Sequence, residues 1–600
     1  MKKLIIPFAL LLPLLAFAKP SGGPYGPQAH SYEIPKTDGQ IYYVAPDGLK
    51  SNNGQSLETP TTIEKAISQV ETKDIIVLRG GIYRTGDLQI SQGITMIPYR
   101  DEKPVFKGTQ IADKWEKQKN GLWKTHWDNL FPENAPGWWS RSTFGKTTPP
   151  YLFNYDMVFI DGKLLKTVGW EGNLDENSFC IDYEQGNVYI ATDPKNHLVE
   201  ITAFDNALTR TIKTVHGKAN DKVGIKIYGI TFTQYAYRAL EVEGTEGHAP
   251  TTPDKIGKEV VGSRLEDVTI SYCSRTGGYF RGDDLVIRNC LVSDTGYEGL
   301  YVISSQNALL ENNIVTHTNI QNIEGVFPTA VKIFNQCDKA IARNNLILDN
   351  PNSSGIWYDV GNTNGLIYNN YIENTPNGFF FEISRGAKCF GNVFVNCDTG
   401  IFVLNSCNVE IYNNTLYNSV VQIMRNGRTA ENDNTFGWHA ATAPTIENRN
   451  GHILKNNLMV VDKKRTKTPY WKDLDTSLLI VYQDKELNET AQTSLVKEAD
   501  SNVFVCMGDN FNKNLIYWTP SKSEKEKFAT LTEFQTNLPE FGLNSVEQIL
   551  PIGSLFKCKE LGDFHLTKPI EKDFVPANIK SLSKIPLYTP ANSAGAYSFN

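Results

Sequence analysis

The sequence lacks several features that would place it in common protein classes. After residue 17 no stretch reaches the roughly 18 apolar residues of a membrane-spanning helix. No block of Lys and Arg is present and the formal net charge is −7, which disfavours nucleic-acid binding because phosphates require clustered cations. No CxxC pair and no Cys/His cluster with zinc spacing occur. Long amphipathic helices are also missing, which excludes a Rossmann-type alternation of strands and helices.

The N-terminus has the pattern of an export signal. Two lysines precede an apolar run over 4–17, and Ala-Phe-Ala at 16–18 fits a small-x-small cleavage site. We expect a signal peptide at 1–18 and a secreted or periplasmic protein. No cysteine follows the site, so no lipid anchor is expected. A retained N-terminal membrane anchor is the alternative.

The nine cysteines form an odd count for an exported chain. Small, easily buried side chains suit the interior of a repeat, so we expect most of them to be buried thiols. Six lie in the repeat region described next: Cys273, Cys290, Cys337, Cys389, Cys397 and Cys407.

Asparagine recurs at a regular spacing from about residue 223 onward. The markers are Arg288-Asn289, Asn312-Asn313, Asn344-Asn345, Asn369-Asn370, Gly391-Asn392, Asn413-Asn414 and Asn456-Asn457. From Asn289 the steps between their second residues are 24, 32, 25, 22, 22 and 43. Steps near 22 fit single coils, and the longer ones fit coils that carry loops. Stacked Asn side chains hydrogen-bond along such a stack.

A fixed period of short strands without helices predicts an all-β fold, a right-handed parallel β-helix, with a β-rich, sandwich-like module inserted near the N-terminus. Thr61 and Glu64 have the spacing of a capping box on a helix that would close the first coil. Residues 501–504 and 562–566 have the pattern of late coils. The predicted divisions are a signal peptide at 1–18, an extended lead-in at 19–40, the cap and first coils at 41–104, the insert at 105–205 and the main β-helix with C-terminal loops at 206–600.

Two segments of the repeat share one form, a glycine followed by four residues that end in a carboxylic acid. They are Gly-Ile-Trp-Tyr-Asp at 355–359 and Gly-Phe-Phe-Phe-Glu at 378–382, whose acids are 23 residues apart. Side chains alternate between the two faces of a strand. The apolar set predicted to point inward is Val331, Ile333, Ile356, Tyr358, Val360, Phe379, Phe381, Ile383, Ile401 and Val403.

The remaining side chains form two predicted outward columns. One column is Arg281, Ile303, Phe334, Asp359, Glu382 and Leu404; the other is Tyr279, Tyr301, Lys332, Trp357, Phe380 and Phe402. Because rungs lie ~4.8 Å apart, Asp359 and Glu382 would lie roughly 5 Å apart, and one pKa should rise. Retaining glycosidases need one charged and one protonated carboxyl at ~5–5.5 Å. The alternative is two unrelated, solvated surface acids.

Further candidates surround the two acids. We expect Trp357, Phe380 and Tyr301 to offer exposed rings to sugars. Lys332 is a substrate-binding or pKa-tuning cation, or else a plain surface lysine. Arg385 is a candidate for substrate contact or a surface group. The long coil at 421–450 carries Arg425, Arg428, Trp438 and His439, and a loop of that size is often a cleft wall.

The two acid-bearing segments resemble the family-120 glycoside hydrolases, β-xylosidases built on a parallel β-helix with an inserted β-sandwich, or else a closely related β-helix glycosidase. The family pattern is Gly-[Leu/Ile]-Trp-x-Asp and, about one coil later, Glu-[Val/Ile]-Ser-x-Gly, which are present here at 355–359 and 382–386. The resemblance implies that Asp359 is the nucleophile and Glu382 the acid/base. Arg385 stands where the family often has His, and a His-rich segment is reduced to Trp438-His439.

The function expected from the sequence is a retaining exo-glycosidase, β-xylosidase-like, acting on plant-type oligosaccharides. No cofactor is expected, apart from room for a structural Ca²⁺. The partner is an oligosaccharide, with no nucleic acid and no membrane anchor, and the oligomeric state stays open. Two rivals remain: a polysaccharide lyase on the same fold using Lys332 as base with Ca²⁺, and a non-catalytic glycan-binding solenoid.

Overall fold

The structure is a computed structural model of the 600-residue chain. The residues it describes are 22–132, 142–143, 146–247, 249–323, 327–432, 441–463, 477–508, 514–520, 525–553, 555–568, 582, 584–586, 588–589, 591 and 593–597. The expected signal peptide lies outside them. No described helix is long and apolar enough to cross a membrane.

Three sheets of 13 strands each run along the chain, and each strand pairs in parallel with the strand one coil later, apart from an antiparallel last pair in sheet 2. Sheet 1 consists of Ile41–Val44, Ile75–Leu78, Thr95–Pro98, Lys226–Tyr228, Arg264–Glu266, Val286–Arg288, Leu309–Glu311, Ile341–Arg343, Thr363–Tyr368, Arg385–Phe390, Cys407–Tyr412, His452–Lys455 and Val496–Asp500. Sheet 2 consists of Leu88–Ile90, Asn206–Arg210, Arg238–Val242, Thr276–Arg281, Glu298–Ile303, Thr329–Phe334, Ser354–Asp359, Asn377–Glu382, Thr399–Leu404, Val421–Arg425, Leu479–Gln483, Ile516–Trp518 and Lys527–Phe528. Sheet 3 consists of Gly81–Arg84, Pro104–Lys107, Thr231–Tyr235, Thr269–Cys273, Leu291–Thr295, Ile314–Thr318, Leu346–Leu348, Tyr371–Glu373, Val393–Val395, Thr415–Tyr417, Leu458–Val461, Val503–Met507 and Val546–Leu550. This confirms the predicted parallel β-helix.

The interior of the coils is one continuous apolar core. It contains the residues predicted to point inward on the acid-bearing strands, including Ile356, Tyr358, Phe379 and Phe381. The prediction was wrong for the residues that follow the two acids, since Val360 and Ile383 lie past the strand ends in left-handed conformation, with φ of 65° and 49°.

The asparagine pairs have two different roles. The first residue turns the chain, as in Asn344 with φ of 56°. The second residue forms a ladder in which each amide group bonds the next, as Asn370 Nδ2 does to Asn392 Oδ1 at 3.0 Å. The ladder is Asn313, Asn345, Asn370, Asn392, Asn414, Asn457 and Asn502. The predicted stacking is confirmed, with one shift: Asn289 is a turn residue, and Cys290 takes the ladder position, donating its N–H to Asn313.

Two further sheets, mostly antiparallel, are formed by the chain segment that follows the second strand of sheet 3 and precedes its third strand. One consists of Lys163–Leu164, Val158–Ile160, Val199–Thr202 and Thr109–Ile111; the other of Lys166–Thr167, Ser178–Asp182, Asn187–Ile190, Trp123–His126 and Glu116–Lys117. They share a separate core against which Trp115, Trp123 and Trp127 pack. A two-stranded sheet of Ser142–Thr143 and Lys146–Thr147 also lies in this stretch.

The ends of the solenoid carry the described α-helices, α1 at Ile63–Gln69 and α2 at Leu531–Asn537. Thr62, not Thr61, caps α1 by accepting from Lys65 N. The expected late coil at 562–566 was wrong, since Asp563–Leu566 pairs antiparallel with Phe556–Cys558. Seven of the nine cysteines are buried, as the sequence indicates. Single-turn 3-10 helices are Pro150–Phe153, Glu171–Asn173, Pro253–Lys255, Ile446–Asn448, Lys485–Leu487 and Lys559–Leu561.

Candidate functional site

The two acids occupy facing positions on neighbouring strands of sheet 2. Asp359 ends one strand, Glu382 ends the next, and the two are directly paired in the parallel register. Both outward columns predicted from the sequence are present in register. The neighbouring coils therefore place the two carboxyl groups one rung apart, roughly 4.8 Å by strand spacing.

The glycine that opens each acid-bearing strand is required by close approach of the coils. A Cβ on Gly355 would lie 2.5 Å from the carbonyl oxygen of Gly378 and 3.1 Å from Ile372. A Cβ on Gly378 would meet Gly400 in the same way, at 2.6 Å. The repeated form, glycine plus four, thus fixes both acids at the same place in successive coils.

Asp359 is held by a buried cation. Its Oδ2 accepts a hydrogen bond from Lys332 Nζ at 2.8 Å. Burial lowers the pKa of Lys332, and the charge of Asp359 opposes that shift. The other carboxylate oxygen, Asp359 Oδ1, is buried without a hydrogen-bond partner among the described residues. The side chain therefore keeps one oxygen anchored and one free for chemistry.

Glu382 lies in a different environment. Burial, and then the charge of Asp359, raise its pKa from an ordinary 4.5 to about 8, although Arg428 and Lys332 oppose the rise. Arg428 lies in the loop after residue 425, and its Nη1 donates a hydrogen bond to Glu382 Oε1 at 3.0 Å. Near neutral pH Glu382 can therefore carry a proton.

The aromatic residues of the second column are stacked on each other. The ring centroids of Trp357 and Phe380, and of Phe380 and Phe402, lie 4.5 Å apart. Tyr301 stacks on Tyr279 at 5.0 Å. The expectation of exposed rings was wrong for Trp357 and Phe380, which are 5% and 6% exposed, because each rung covers the ring faces of the next.

A third carboxyl group lies close by and was missed by the sequence analysis. Burial raises the pKa of Glu298 to about 8, opposed by Lys332 and by a hydrogen bond from Thr276. The same position, just before the small residue that opens a coil, is Ser354 in a later coil and Thr399 in another. A long acid where the two flanking coils carry Thr276 and Thr329 is the sequence signal that could have identified it.

The backbone after each acid is strained. Val360 and Ile383 adopt the left-handed conformation, which β-branched residues disfavour. The same corner position is Ser304, Asn335 and Asn405 in other coils, with φ of 48°, 59° and 51°. Strain of this kind is concentrated at functional sites.

The other predicted residues are distributed around the pair. Arg385 begins a strand of sheet 1 and donates to the carbonyl oxygens of Thr442 and Ala443, so it anchors the long loop. Arg425 is fully buried and bonds Gln483 and Ala491. Trp438 and His439 lie outside the described residues. A surface pocket on sheet 1 is lined by Arg385, Lys388 and Glu410 among others, and lies on a different face from the acids.

The described residues contain no group of three or more His, Cys, Asp or Glu side chains arranged to hold a metal ion. The sequence analysis allowed for a structural Ca²⁺, and no cluster of described side chains supports that expectation.

Comparison with known proteins supports the fold. A family described as a right-handed beta helix region matches residues 258–416. XylC in complex with xylose is similar with a TM-score of 0.55 and 15% identity, over 78% of this chain and 84% of that chain. A glycoside hydrolase gives a TM-score of 0.43 at 12% identity, over 63% of this chain and 94% of that chain. Pectate lyase Pel9A gives a TM-score of 0.39 at 14% identity, over 98% of this chain and 100% of that chain. A search of curated proteins with the sequence found no match. The chain is thus a right-handed parallel β-helix.

Proposed function

We propose that the protein is a retaining exo-glycoside hydrolase, β-xylosidase-like, that acts on plant-type oligosaccharides. The observation that carries the proposal is the pairing of Asp359 and Glu382 on adjacent rungs, one bound to Lys332 and the other with a raised pKa. The resemblance of the two acid-bearing segments to family-120 enzymes supports it. Export by a cleaved signal peptide remains part of the proposal.

The mechanism follows from the different environments of the two acids. Asp359 Oδ1 attacks the anomeric carbon, and Glu382 gives its proton to the leaving glycosidic oxygen, forming a glycosyl-enzyme ester. Glu382, now ionised, takes a proton from water, whose oxygen attacks the anomeric carbon and releases Asp359. Lys332 keeps Asp359 Oδ2 bound throughout, which orients the attacking oxygen.

The test is a panel of aryl glycosides with Asp359→Ala and Glu382→Ala. We expect turnover by the wild type, loss of it in both variants, and, with azide present, formation of a glycosyl azide of inverted configuration by Asp359→Ala. Glu410→Gln, on sheet 1, is the matched control and should keep the wild-type rate. Wild-type rates in both acid variants would contradict the site, and an inverted first-formed sugar would contradict retention.

One observation favours a second candidate, a polysaccharide lyase. The lowered pKa of the buried Lys332 amine is a property of a general base. A lyase would release products that absorb as unsaturated uronates and would lose activity with chelators. Binding of oligosaccharide without any cleavage would instead support the glycan-binding solenoid.

A further inference from the structure

Both faces of the Trp357 ring are covered by the protein. Lys332 Nζ lies 3.0 Å from the ring centroid, and the Phe380 ring stacks at 4.5 Å. A cation and an aromatic ring cannot share the same face at those distances, so each takes one side. The indole is thus unable to stack on a sugar, and its edge is the part left for other contacts.

That edge carries a hydrogen-bond donor without an acceptor. Trp357 Nε1 is buried and has no hydrogen-bond partner among the described residues. Two other tryptophans show the usual arrangement, since Trp115 Nε1 donates to Ala112 O and Trp127 Nε1 to Thr202 O, both at 2.8 Å. An indole nitrogen can only donate, and a buried donor without an acceptor destabilises the protein.

The unpaired donor has an unpaired acceptor beside it. Asp359 Oδ1 also lacks a partner, and Asp359 stands two residues after Trp357 on the same outward face of one strand. Their Cα atoms are therefore roughly 7 Å apart. One lone donor and one lone acceptor on the same face of a strand are complementary to a sugar, which offers an electrophilic carbon with a hydroxyl group on the neighbouring carbon.

We propose that Trp357 binds the substrate through its indole N–H, which donates to the hydroxyl oxygen next to the anomeric carbon. This inference rests on the proposed function, because Asp359 Oδ1 then faces the anomeric carbon itself. The ligand is a sugar with a free hydroxyl at carbon 2. A hydrogen bond there strengthens as charge develops at the transition state.

Phe327 packs against the same indole. Its ring is perpendicular to Trp357, with centroids 5.8 Å apart, and is 53% exposed. Because the two indole faces are occupied, Phe327 lies at an edge of the ring.

The test removes the N–H and leaves the ring. Trp357 is replaced by 3-benzothienylalanine, which keeps the bicyclic face for Lys332 and Phe380 but has sulfur in place of N–H. Trp357→Phe is the genetic counterpart. Each protein is assayed on an aryl glycoside and on its 2-deoxy analogue. We expect kcat/KM to fall about 10²-fold on the first substrate and less than about threefold on the second.

Trp115→Phe is the matched control, since it removes an indole N–H bonded within the insert, and it should leave both rates unchanged. Equal losses on both substrates in the Trp357 variants would mean that the ring only supports the site, and would overturn the inference alone. No turnover of any glycoside by the wild type would overturn the proposed function and the inference with it.

Discussion

Two stacks of polar side chains run along this solenoid, and they have opposite chemistry. In the asparagine ladder, each amide accepts from one neighbour and donates to the next, as Asn392 does between Asn370 and Asn414. In the acid column, Asp359 and Glu382 stack at the same rung spacing, but an ionised carboxylate only accepts. Cations from elsewhere, Lys332 and Arg428, have to supply the donors.

The difference shows how one geometry gives either stability or reactivity. A stack of groups that both donate and accept satisfies every buried polar atom and strengthens along its length. A stack of acceptors leaves Asp359 Oδ1 unpaired and raises the pKa of Glu382. Substitutions that exchange acids and amides between the two stacks, or that remove the cation beside Asp359, test this difference.

The largest effect is expected on activity when Glu382→Gln places an amide, as in the asparagine ladder, in the acid column. The amide cannot give a proton, so kcat/KM should fall about 10²–10⁴-fold, and less on a dinitrophenyl glycoside whose leaving group needs no protonation. The wild-type rate should decline above pH 8 as Glu382 ionises, and this limb should vanish in the variant. The measurement is the pH–rate profile of both proteins. An alkaline limb that is unchanged in the variant would contradict Glu382 as the proton donor.

Glu382 also links stability to pH. Because its folded pKa is raised, the folded protein keeps a proton that the unfolded chain releases, between about pH 4.5 and 8. The free energy of unfolding contributed by this group therefore falls as pH rises through that window. Denaturant titrations of the wild type and Glu382→Gln should diverge there, with the variant becoming relatively more stable.

Lys332→Met removes the cation that pairs with Asp359. A buried carboxylate left without its partner destabilises by about 3–5 kcal/mol. Lys388→Met is the matched control, because Lys388 pairs with Glu410 at 2.6 Å but is 37% exposed, and it should change stability by less than about 1 kcal/mol. Urea unfolding at pH 7 measures both. Equal losses would show that the pairing of Lys332 is no stronger than a surface ion pair.

Asn392→Asp introduces an acceptor-only group into the ladder. The donor to Ile367 O and Asn414 Oδ1 is lost, so we expect destabilisation on the order of 3 kcal/mol at pH 7. The loss should shrink at pH 4, where the new carboxyl group is protonated. Asn177→Asp, at an exposed position of the insert, should stay within about 0.5 kcal/mol. A pH-independent loss would contradict the comparison.

The smallest effect is expected at the corner after Asp359. Val360→Asn gives this position the residue found at Asn335 and Asn405, and relief of left-handed strain should stabilise the protein by about 1 kcal/mol. The same change at Val403, inside the core, should instead destabilise by at least about 2 kcal/mol. A loss of stability in Val360→Asn would mean that Val360 packing outweighs the strain.

The fold and the register of the site could be read from the sequence because a solenoid repeats a local pattern. Alternation within each strand gave the inward and outward faces, and the coil period aligned Asp359 with Glu382. The outward columns also stay in register across the 32-residue step from Asn313 to Asn345. The same reasoning failed at Val360 and Ile383, where the chain turns and alternation ends. It also failed at 562–566, because a strand pattern does not specify which partner the strand pairs with.

The sequence by itself thus determined the coil, the asparagine ladder and the position of two acids one rung apart. Tertiary structure alone decided which groups surround them. Arg428 reaches Glu382 from a loop 46 residues later, and rung stacking turns the Trp357 face away from solvent. The repeat period predicts which residues are neighbours on successive coils. Burial, ring orientation and pKa also depend on side chains that loops and other columns bring to the site.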